Sequence, residues 1–228
     1  MDFCNYLLGR ISKILLFAVV MAMFAIPASA DTIYDNGFGN GQDAEAINKG
    51  NAVADSFTVS GTFNLISVEF WVDVIPDGDE TPTSVEWAIV PVSTDPFSLS
   101  PLDYKQVSLT SNGFTNMQGC DDSGCWNWNI YDMYFDLPPD YSLVTGTYYL
   151  VLQNANSHDG NTLYWDMSYG ASAAYQNSLG SSIDSESFII NGTDPVPELG
   201  TLPLLGIGLL FLVPLGLRRR VKSVSFAA

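Results

Sequence analysis

The stretch ISVEFWVDV, residues 66–74, places an apolar side chain at every second position for nine residues. Successive side chains of a β-strand point to opposite faces, so a period of two predicts a strand with one face turned to a core. The opposite face carries Ser67, Glu69, Trp71 and Asp73. The predicted core face consists of Ile66, Val68, Phe70, Val72 and Val74.

The same alternation recurs along the chain and predicts an all-β fold. It is clear in residues 85–89, 131–137 and 148–152, and shorter candidates are 32–35, 54–59, 105–110, 162–167 and 186–190. Clusters of Gly, Pro, Asn and Asp separate these segments, and no amphipathic helix interrupts them. About nine short strands of this kind predict an antiparallel β-sandwich, jelly-roll-like, over residues 31–192.

The amino-terminal residues 1–30 have the pattern of a secretory signal peptide. Arg10 and Lys13 precede an apolar run at 14–26, and Ala28-Ser29-Ala30 forms a small-residue processing site. The apolar run is 13 residues long. That is too short to cross about 30 Å of hydrocarbon, so we expect cleavage before Asp31 rather than a permanent membrane helix.

The carboxyl-terminal residues predict a membrane anchor. Residues 199–217 contain no charged side chain, and Arg218, Arg219 and Arg220 follow at once. An apolar segment of this length predicts a transmembrane helix, and a basic cluster remains on the cytoplasmic side. We therefore expect a basic cytoplasmic tail at 218–228 and the β-rich body outside the cytoplasm, in agreement with the signal peptide.

An extended linker, 193–198, stands immediately before the predicted helix and includes Val196, Pro197 and Glu198. The order of this motif, the apolar helix and the arginine cluster resembles the PEP-CTERM sorting signal of bacterial exported proteins. Leu199 stands where that family commonly has a second proline.

The resemblance implies an exosortase-type processing enzyme as a partner. It also implies a protein that is anchored in the inner membrane at least transiently, with its body in the periplasm, and that then reaches the cell surface or the extracellular matrix. An association with exopolysaccharide or biofilm is the setting that the family implies.

Acidic residues dominate the exported segment. The whole chain has a formal net charge of −17. Residues 31–198 contain 24 Asp and Glu against Lys49 and Lys105, which leaves −22. Such a surface repels phosphates and excludes nucleic acid as a partner. It suits solubility outside the cell, binding of divalent cations, or contact with neutral polysaccharide, and its plainest interpretation is a solvated acidic face.

Two cysteines remain after removal of the signal peptide, which carries Cys4. Cys120 and Cys125 flank the turn-forming residues Asp-Asp-Ser-Gly, which could bring them within bridging distance. We therefore predict a disulfide. A zinc site needs further Cys or His ligands, and the single histidine, His158, lies in a polar turn segment where we expect it to face solvent.

No cofactor is predicted, with one alternative. Asp77, Asp79 and Glu80 lie in one turn and could offer hard oxygen ligands to calcium, although no complete calcium-binding motif surrounds them. The other interpretation of this turn is an acidic surface loop.

Two kinds of site on the strands could act on glycans. Glu69 and Glu86 are outward acids near tryptophans, and paired carboxylates support glycoside hydrolysis. Among 24 acids, however, chance pairs are expected, so we predict no catalytic residue and no enzyme. The candidate glycan contacts are Trp71, Trp126, Trp128 and Trp165. Trp126 and Trp128 are the foremost of these, because they follow the predicted disulfide loop. Trp87 shares a face with apolar neighbours and is predicted to fill the core.

These features lead to one main hypothesis and one alternative. The main hypothesis is a non-enzymatic exported protein of the cell surface or matrix, sorted through its tail and associated with polysaccharide. The alternative is a carbohydrate-binding module or a glycan-active enzyme on the same β-rich body. A groove that gathers tryptophan and carboxylates would favour the second.

Overall fold

The computed structural model describes residues 30–76, 79–121 and 124–194, with backbone alone at 118–126. Residues 1–29, the sorting motif, the predicted transmembrane helix and the basic tail lie outside this description. Among the residues described, no helix is long and apolar enough to cross a bilayer.

The described chain consists of β-strands joined by turns and loops, which confirms the all-β prediction. β1 begins at Asp31, the residue that would follow signal cleavage. The strands are β1 (Asp31–Asp35), β2 (Ala44–Ala46), β3 (Ala52–Val59), β4 (Phe63–Val74), β5 (Pro82–Pro91), β6 (Lys105–Ser108), β7 (Thr110–Asp121), β8 (Gly124–Asp136), β9 (Ser142–Leu143), β10 (Gly146–Ser157), β11 (Tyr164–Asp166), β12 (Ala174–Gln176), β13 (Ser182–Ile183) and β14 (Phe188–Thr193).

These strands form two antiparallel sheets. Sheet one runs β1-β14-β4-β8-β7. Beyond the start of β14, β11 pairs with β4 and β2 pairs with β11, while β9 pairs with the start of β4. Sheet two runs β13-β12-β3-β10-β5-β6. The antiparallel pairing predicted from the alternation is therefore confirmed. Along the chain, most of the longer strands alternate between the two sheets. β3, β5 and β10 belong to sheet two, and β4, β8 and β14 belong to sheet one.

The inner faces of the two sheets share one hydrophobic core. Trp87 of β5 is buried and stacks on Phe135 of β8, with ring centroids 5.7 Å apart, so the contact joins sheet two to sheet one. This confirms Trp87 as a core residue. Phe57 of β3 meets Phe188 of β14 edge to face across the same interior. Aromatic rings bury large apolar areas, and here they do so between the layers.

Strand β4 corrects one detail of the predicted core. Val68, Phe70, Val72 and Val74 are buried in it, but Ile66 is 38% exposed and Leu65 lies in the core in its place. The pairing with β14 shifts between Ser67 and Leu65, so residue 66 has no partner in β14 and the side-chain alternation changes phase. Such a bulge inserts one extra residue into a strand, which unbroken alternation in the sequence does not reveal.

The hairpin of β7 and β8 is the largest element that the periodicity missed. β7 is rich in Thr, Asn, Ser and Gly, so it lacks the apolar alternation that marks a half-buried strand. It pairs with β8 at the edge of sheet one, and the first residues of β8, before Asn129, pair with β7 alone. A strand at this edge has little core to cover and needs few apolar side chains.

The bulge in β4 predicts opposite behaviour for two adjacent residues. Leu65→Ala removes a buried side chain and should lower the free energy of unfolding by about 2–5 kcal/mol, whereas Ile66→Ala should cost less than about 1 kcal/mol. Urea unfolding of both variants measures the difference. Equal losses at the two positions would contradict the assignment of Leu65 to the core.

Candidate functional site

A groove of about 380 Å³ lies on the outer face of sheet one. Its floor is formed by outward side chains of β4 and β8, where Trp71 lies directly opposite Asp132. One wall is the loop between β1 and β2, and the other is β7. The residues that line it include Gly39, Trp71, Gly113, Met117, Ile130 and Asp132.

A second aromatic ring packs against Trp71 of this groove. Phe38, in the loop, is 68% exposed and packs edge to face against Trp71, with ring centroids 5.0 Å apart. Trp71 itself is only 8% exposed, although it points away from the core. The loop therefore covers Trp71 and leaves the Phe38 ring available at the surface.

Further aromatic side chains share this outer face. Tyr134 of β8 lies opposite Glu69, and Tyr164 of β11 lies opposite Asp73, so both point outward. Trp128 is half-buried and meets Tyr164 edge to face at 5.7 Å. We call Phe38, Trp71, Trp128, Tyr134 and Tyr164 the aromatic face.

Carboxylates accompany these rings. Asp132 Oδ1 accepts a hydrogen bond from Asn112 Nδ2 at 3.2 Å. Partial burial, followed by the charges of Asp132 and Asp35 and a hydrogen bond with Asp132, raises the pKa of Glu69. The face thus combines flat rings with clustered hydrogen-bonding oxygens.

The loop that forms the first wall is held in place by hydrogen bonds to Asp166 and to the residue after it. Gly41 N donates to both carboxyl oxygens of Asp166, at 3.1 and 3.2 Å, and Asn40 N donates to Met167 O at 2.7 Å. A Cβ at Gly39 would collide with the same carboxyl group. Glycine at this position lets the loop approach β11 closely, and this approach holds Phe38 over Trp71.

Asp166 shares its buried position with Asp73. Burial raises the pKa of Asp73 to about 8, and the charge and hydrogen bond of Asp166 add to the rise. Burial likewise raises the pKa of Asp166 to about 7, against the opposing hydrogen bonds from Gly41 and Asp73. Two carboxyl groups can hydrogen-bond only if one carries a proton, so near neutral pH the pair shares one proton.

The tryptophans predicted from the sequence separate into two groups. Trp71 and Trp128 belong to the aromatic face, whereas Trp165 is fully buried in the core and donates its indole N–H to Ser187 O at 2.7 Å. The side chain of Trp126 lies outside the description, so its proposed glycan contact stays a prediction.

Glu69 and Glu86 do not meet. Glu69 faces outward from sheet one, and Glu86 faces outward from sheet two, where its Oε2 accepts from Gln153 at 3.1 Å and Asn154 at 2.8 Å. A core about 10 Å thick separates such faces, so these two acids cannot flank one glycosidic bond.

The predicted calcium turn is described in part. Asp77 lies outside the described residues, Asp79 is exposed, and Glu80 is buried. Glu80 Oε1 accepts hydrogen bonds from Asn129 Nδ2 and from the Tyr131 hydroxyl. In the described parts of the chain, no three acidic, His or Cys side chains form a group that could hold a metal ion. The calcium turn stays a prediction.

The predicted disulfide is compatible with the backbone of the hairpin. Cys120 of β7 lies opposite Cys125 of β8 in the register. Their side chains are among those not described, so the bond itself stays a prediction. His158 is exposed, as expected.

Sequence reasoning missed Phe38, Met117 and the pair Asp73 and Asp166. Phe38 could have been noticed, because it is the one large apolar residue of the glycine-rich loop 36–43. The acid pair has no local signal: its members are 93 positions apart in sequence. Only the placement of β11 beside β4 brings them together.

No model of a known protein family matches the chain, and no curated protein matches its sequence.

The acid pair predicts that stability falls as pH rises. In an unfolded chain an Asp has a pKa of about 3.9, so the raised pKa values mean that the folded state binds more protons between about pH 4 and pH 8. Their contribution is therefore full below about pH 4 and lost as pH rises through about 7 to 8. Asp73→Asn should make Tm less dependent on pH and raise it at pH 8.

Thermal unfolding from pH 4 to pH 9, in buffer without divalent cations, measures this dependence. Asp136→Asn serves as the control, because Asp136 is exposed on the neighbouring strand β8. An Asp73→Asn protein with the same pH profile as the unchanged protein would contradict the assignment.

Proposed function

We propose that the protein is a non-enzymatic component of the bacterial cell surface or extracellular matrix that holds neutral polysaccharide on its aromatic face. The single observation that carries the proposal is the pairing of Trp71 with Asp132 on the floor of the groove, where the exposed ring of Phe38 packs against Trp71. Export and sorting through the tail are part of the same proposal, and rest on the sequence of both ends.

Sugar recognition is supported by the chemistry of this face. Pyranose rings present C–H faces that pack on flat aromatic side chains, and their hydroxyls hydrogen-bond to carboxylate and amide groups. Phe38 offers an exposed ring, and Asp132 with Asn112 offers polar atoms beside it. A shallow open groove also suits a polymer, which must enter and leave along its length.

Charge selects among polysaccharides. Asp132, Glu69 and Asp35 interact electrostatically at this face, and no Lys or Arg lines the groove among the described residues. The carboxylates of this face would repel an anionic glycan, whereas a neutral glycan approaches them without electrostatic repulsion. The proposed ligand is therefore a neutral glycan.

We further propose that the two sheets are the layers of a jelly-roll-like β-sandwich. Two observations support this architecture: the sheets share one core, and most of the long strands of the chain belong alternately to the two sheets. In such a body the aromatic face, apart from Phe38 in its loop, is a strand surface, on which a ligand is bound with little loss of conformational entropy.

A glycan-active enzyme is the alternative, and the geometry gives it less support. Glu69 and Glu86 lie on different outer faces. Asp132 and Glu69 lie on the same face, but the groove beside them is open to solvent. General acid catalysis benefits from exclusion of water, which an open groove does not provide. The geometry of this surface therefore favours binding of a glycan over its hydrolysis.

Removal of the exposed ring tests glycan binding. Phe38→Ala should weaken binding to neutral polysaccharides by about tenfold, the usual effect of losing one important aromatic contact. Asp132→Asn should weaken it less, because the amide keeps part of the hydrogen bonding. Affinity electrophoresis in gels containing neutral glycans, followed by titration calorimetry with the best ligand, measures both.

Tyr169→Ala is the matched control, because Tyr169 is an exposed aromatic residue outside the groove. It should bind as the unchanged protein does. Binding to no neutral glycan, or equal losses for Phe38→Ala and Tyr169→Ala, would contradict the proposal.

The proposed export and sorting predict the mass of the finished protein. Intact mass spectrometry of protein recovered from the producing cells should find a chain that begins at Asp31 and has lost the segment after the linker 193–198. Replacing Arg218, Arg219 and Arg220 with Ala should leave the tail attached, because the basic cluster is part of the proposed signal. A finished protein that retains residues 199–228 would contradict tail processing.

A further inference from the structure

A second set of buried acids lies between the sheets, away from the groove. Asp55 of β3 is on the inner face of sheet two, in phase with Val53 and Phe57 of the core. Glu186 immediately precedes the residues that lead into β14, and its backbone forms an antiparallel bridge with Met167. Both acidic side chains are 0% exposed.

One oxygen of this set is well satisfied. Asp55 Oδ2 accepts hydrogen bonds from Glu186 N at 2.7 Å, from the Ser172 hydroxyl at 2.8 Å and from Asn36 Nδ2 at 3.1 Å. Asp55 therefore touches the backbone of Glu186, and the two residues join sheet two to the segment that enters sheet one.

Three other oxygens are not satisfied. Asp55 Oδ1 and both carboxyl oxygens of Glu186 are buried and have no hydrogen-bond partner among the described residues. A buried acceptor without a partner loses the full free energy of its hydration, and natural proteins rarely leave a whole carboxyl group in that state. Glu186 is also surrounded by negative charge, of which Asp55 contributes most and Glu45, Asp166 and Asp73 contribute less.

No basic side chain of the described chain neutralises these acids. Lys49 Nζ donates to the Thr162 hydroxyl at 2.9 Å in an exposed position, and Lys105 is exposed in the edge strand β6. Burial raises the pKa of Asp55 to about 6 and that of Glu186 well above its usual value. Near neutral pH the acids must therefore take up protons or a cation from outside.

Three neutral oxygens lie at the same place as Asp55 Oδ2. All four surround Asn36 Nδ2: Asp55 Oδ2 at 3.1 Å, the hydroxyls of Ser172 and Ser185 at 2.7 and 2.6 Å, and Glu186 O at 2.6 Å. An amide nitrogen carries two hydrogens and can serve only two of the four. The oxygens that receive no amide hydrogen can face another positive group, although the Ser172 hydroxyl also donates to Asp55 Oδ2 and the Ser168 hydroxyl also donates to Glu186 O.

We propose that Asp55 and Glu186 bind a calcium ion between the two sheets, with the hydroxyls of Ser172 and Ser185 and the backbone oxygen of Glu186 as neutral ligands. Calcium accepts six to eight oxygen ligands of mixed type in irregular geometry. The ligand set contains oxygen only, which disfavours zinc and copper. Two carboxylates balance the charge of the ion, so the pair no longer needs a proton.

The ion would act as a structural cross-link. Asp55 belongs to sheet two, while Glu186 leads into β14 of sheet one, and Asn36 follows β1. A cation held by Asp55 and Glu186 connects the two sheets, and the hydrogen bond from Asn36 to Asp55 connects the start of the glycine-rich loop to the same point. The site is separate from the calcium turn predicted at 77–80.

Calcium-dependent thermal unfolding of the full chain, purified and treated with a chelator, tests the proposal. Added CaCl₂ should raise Tm by about 5–10 °C once its concentration is about 100 times Kd. Glu186→Gln should abolish the shift and raise Tm in the absence of calcium, because it removes the buried charge. Asp79→Asn should keep the shift, which separates this site from the turn.

A second measurement covers the case in which Glu186→Gln fails to fold. Terbium bound at the site should emit on excitation of Trp165, which lies close to it through its hydrogen bond to Ser187 O. Calcium should displace this emission, and Asp55→Asn should reduce it at least tenfold. An unchanged Tm with calcium, or terbium emission unaffected by Asp55→Asn, would overturn the proposal.

Discussion

The hydrogen bonds from Gly41 to Asp166 are the constraint on which the outer face of sheet one depends. They attach a loop of little intrinsic structure to β11, and the attachment brings Phe38 over Trp71. Without it Trp71 would lie bare on a strand surface and the groove would lose one wall. A carboxyl group that costs free energy to bury thus organises the surface to which we assign binding.

Buried carboxyl groups also shape the interior of the protein. A chain with a strong excess of acids has few bases available to pair with those that folding buries, so carboxyl groups meet one another or meet backbone N–H groups. Asp73 and Asp166 share a proton, and among the described residues only Asp73 Oδ1 of this pair is buried without a hydrogen-bond partner. Asp55 Oδ1 and both carboxyl oxygens of Glu186 have no such partner in the same part of the chain, so these two acids leave a whole carboxyl group unsatisfied and call for a partner from solution.

The sequence predicted the class of fold but not its irregularities. Period-two alternation reports burial on one face, so it found β4, β5, β8 and β10, whose inner side chains fill the core. It missed β7 because an edge strand buries little, and it misplaced Ile66 because a bulge changes phase without changing composition. Of the site, the outward positions of Glu69 and Trp71 were predictable from strand parity. The pairing of Trp71 with Asp132 could not be predicted, because it depends on the register between β4 and β8, and the two residues are 61 positions apart in sequence.

The pairing of β1 with β14 has a consequence for how the chain acquires its structure. The first strand of the body lies beside the last, with Asp31 opposite Gly192. Contacts between residues so distant in sequence close late, because the entropy of the intervening loop must be lost first. While the chain folds, one edge of β4 stays open until β14 pairs with it. Folding of sheet one is therefore completed last by the carboxyl-terminal strand of the body, and until then the open edge of β4 is exposed to strand-to-strand aggregation.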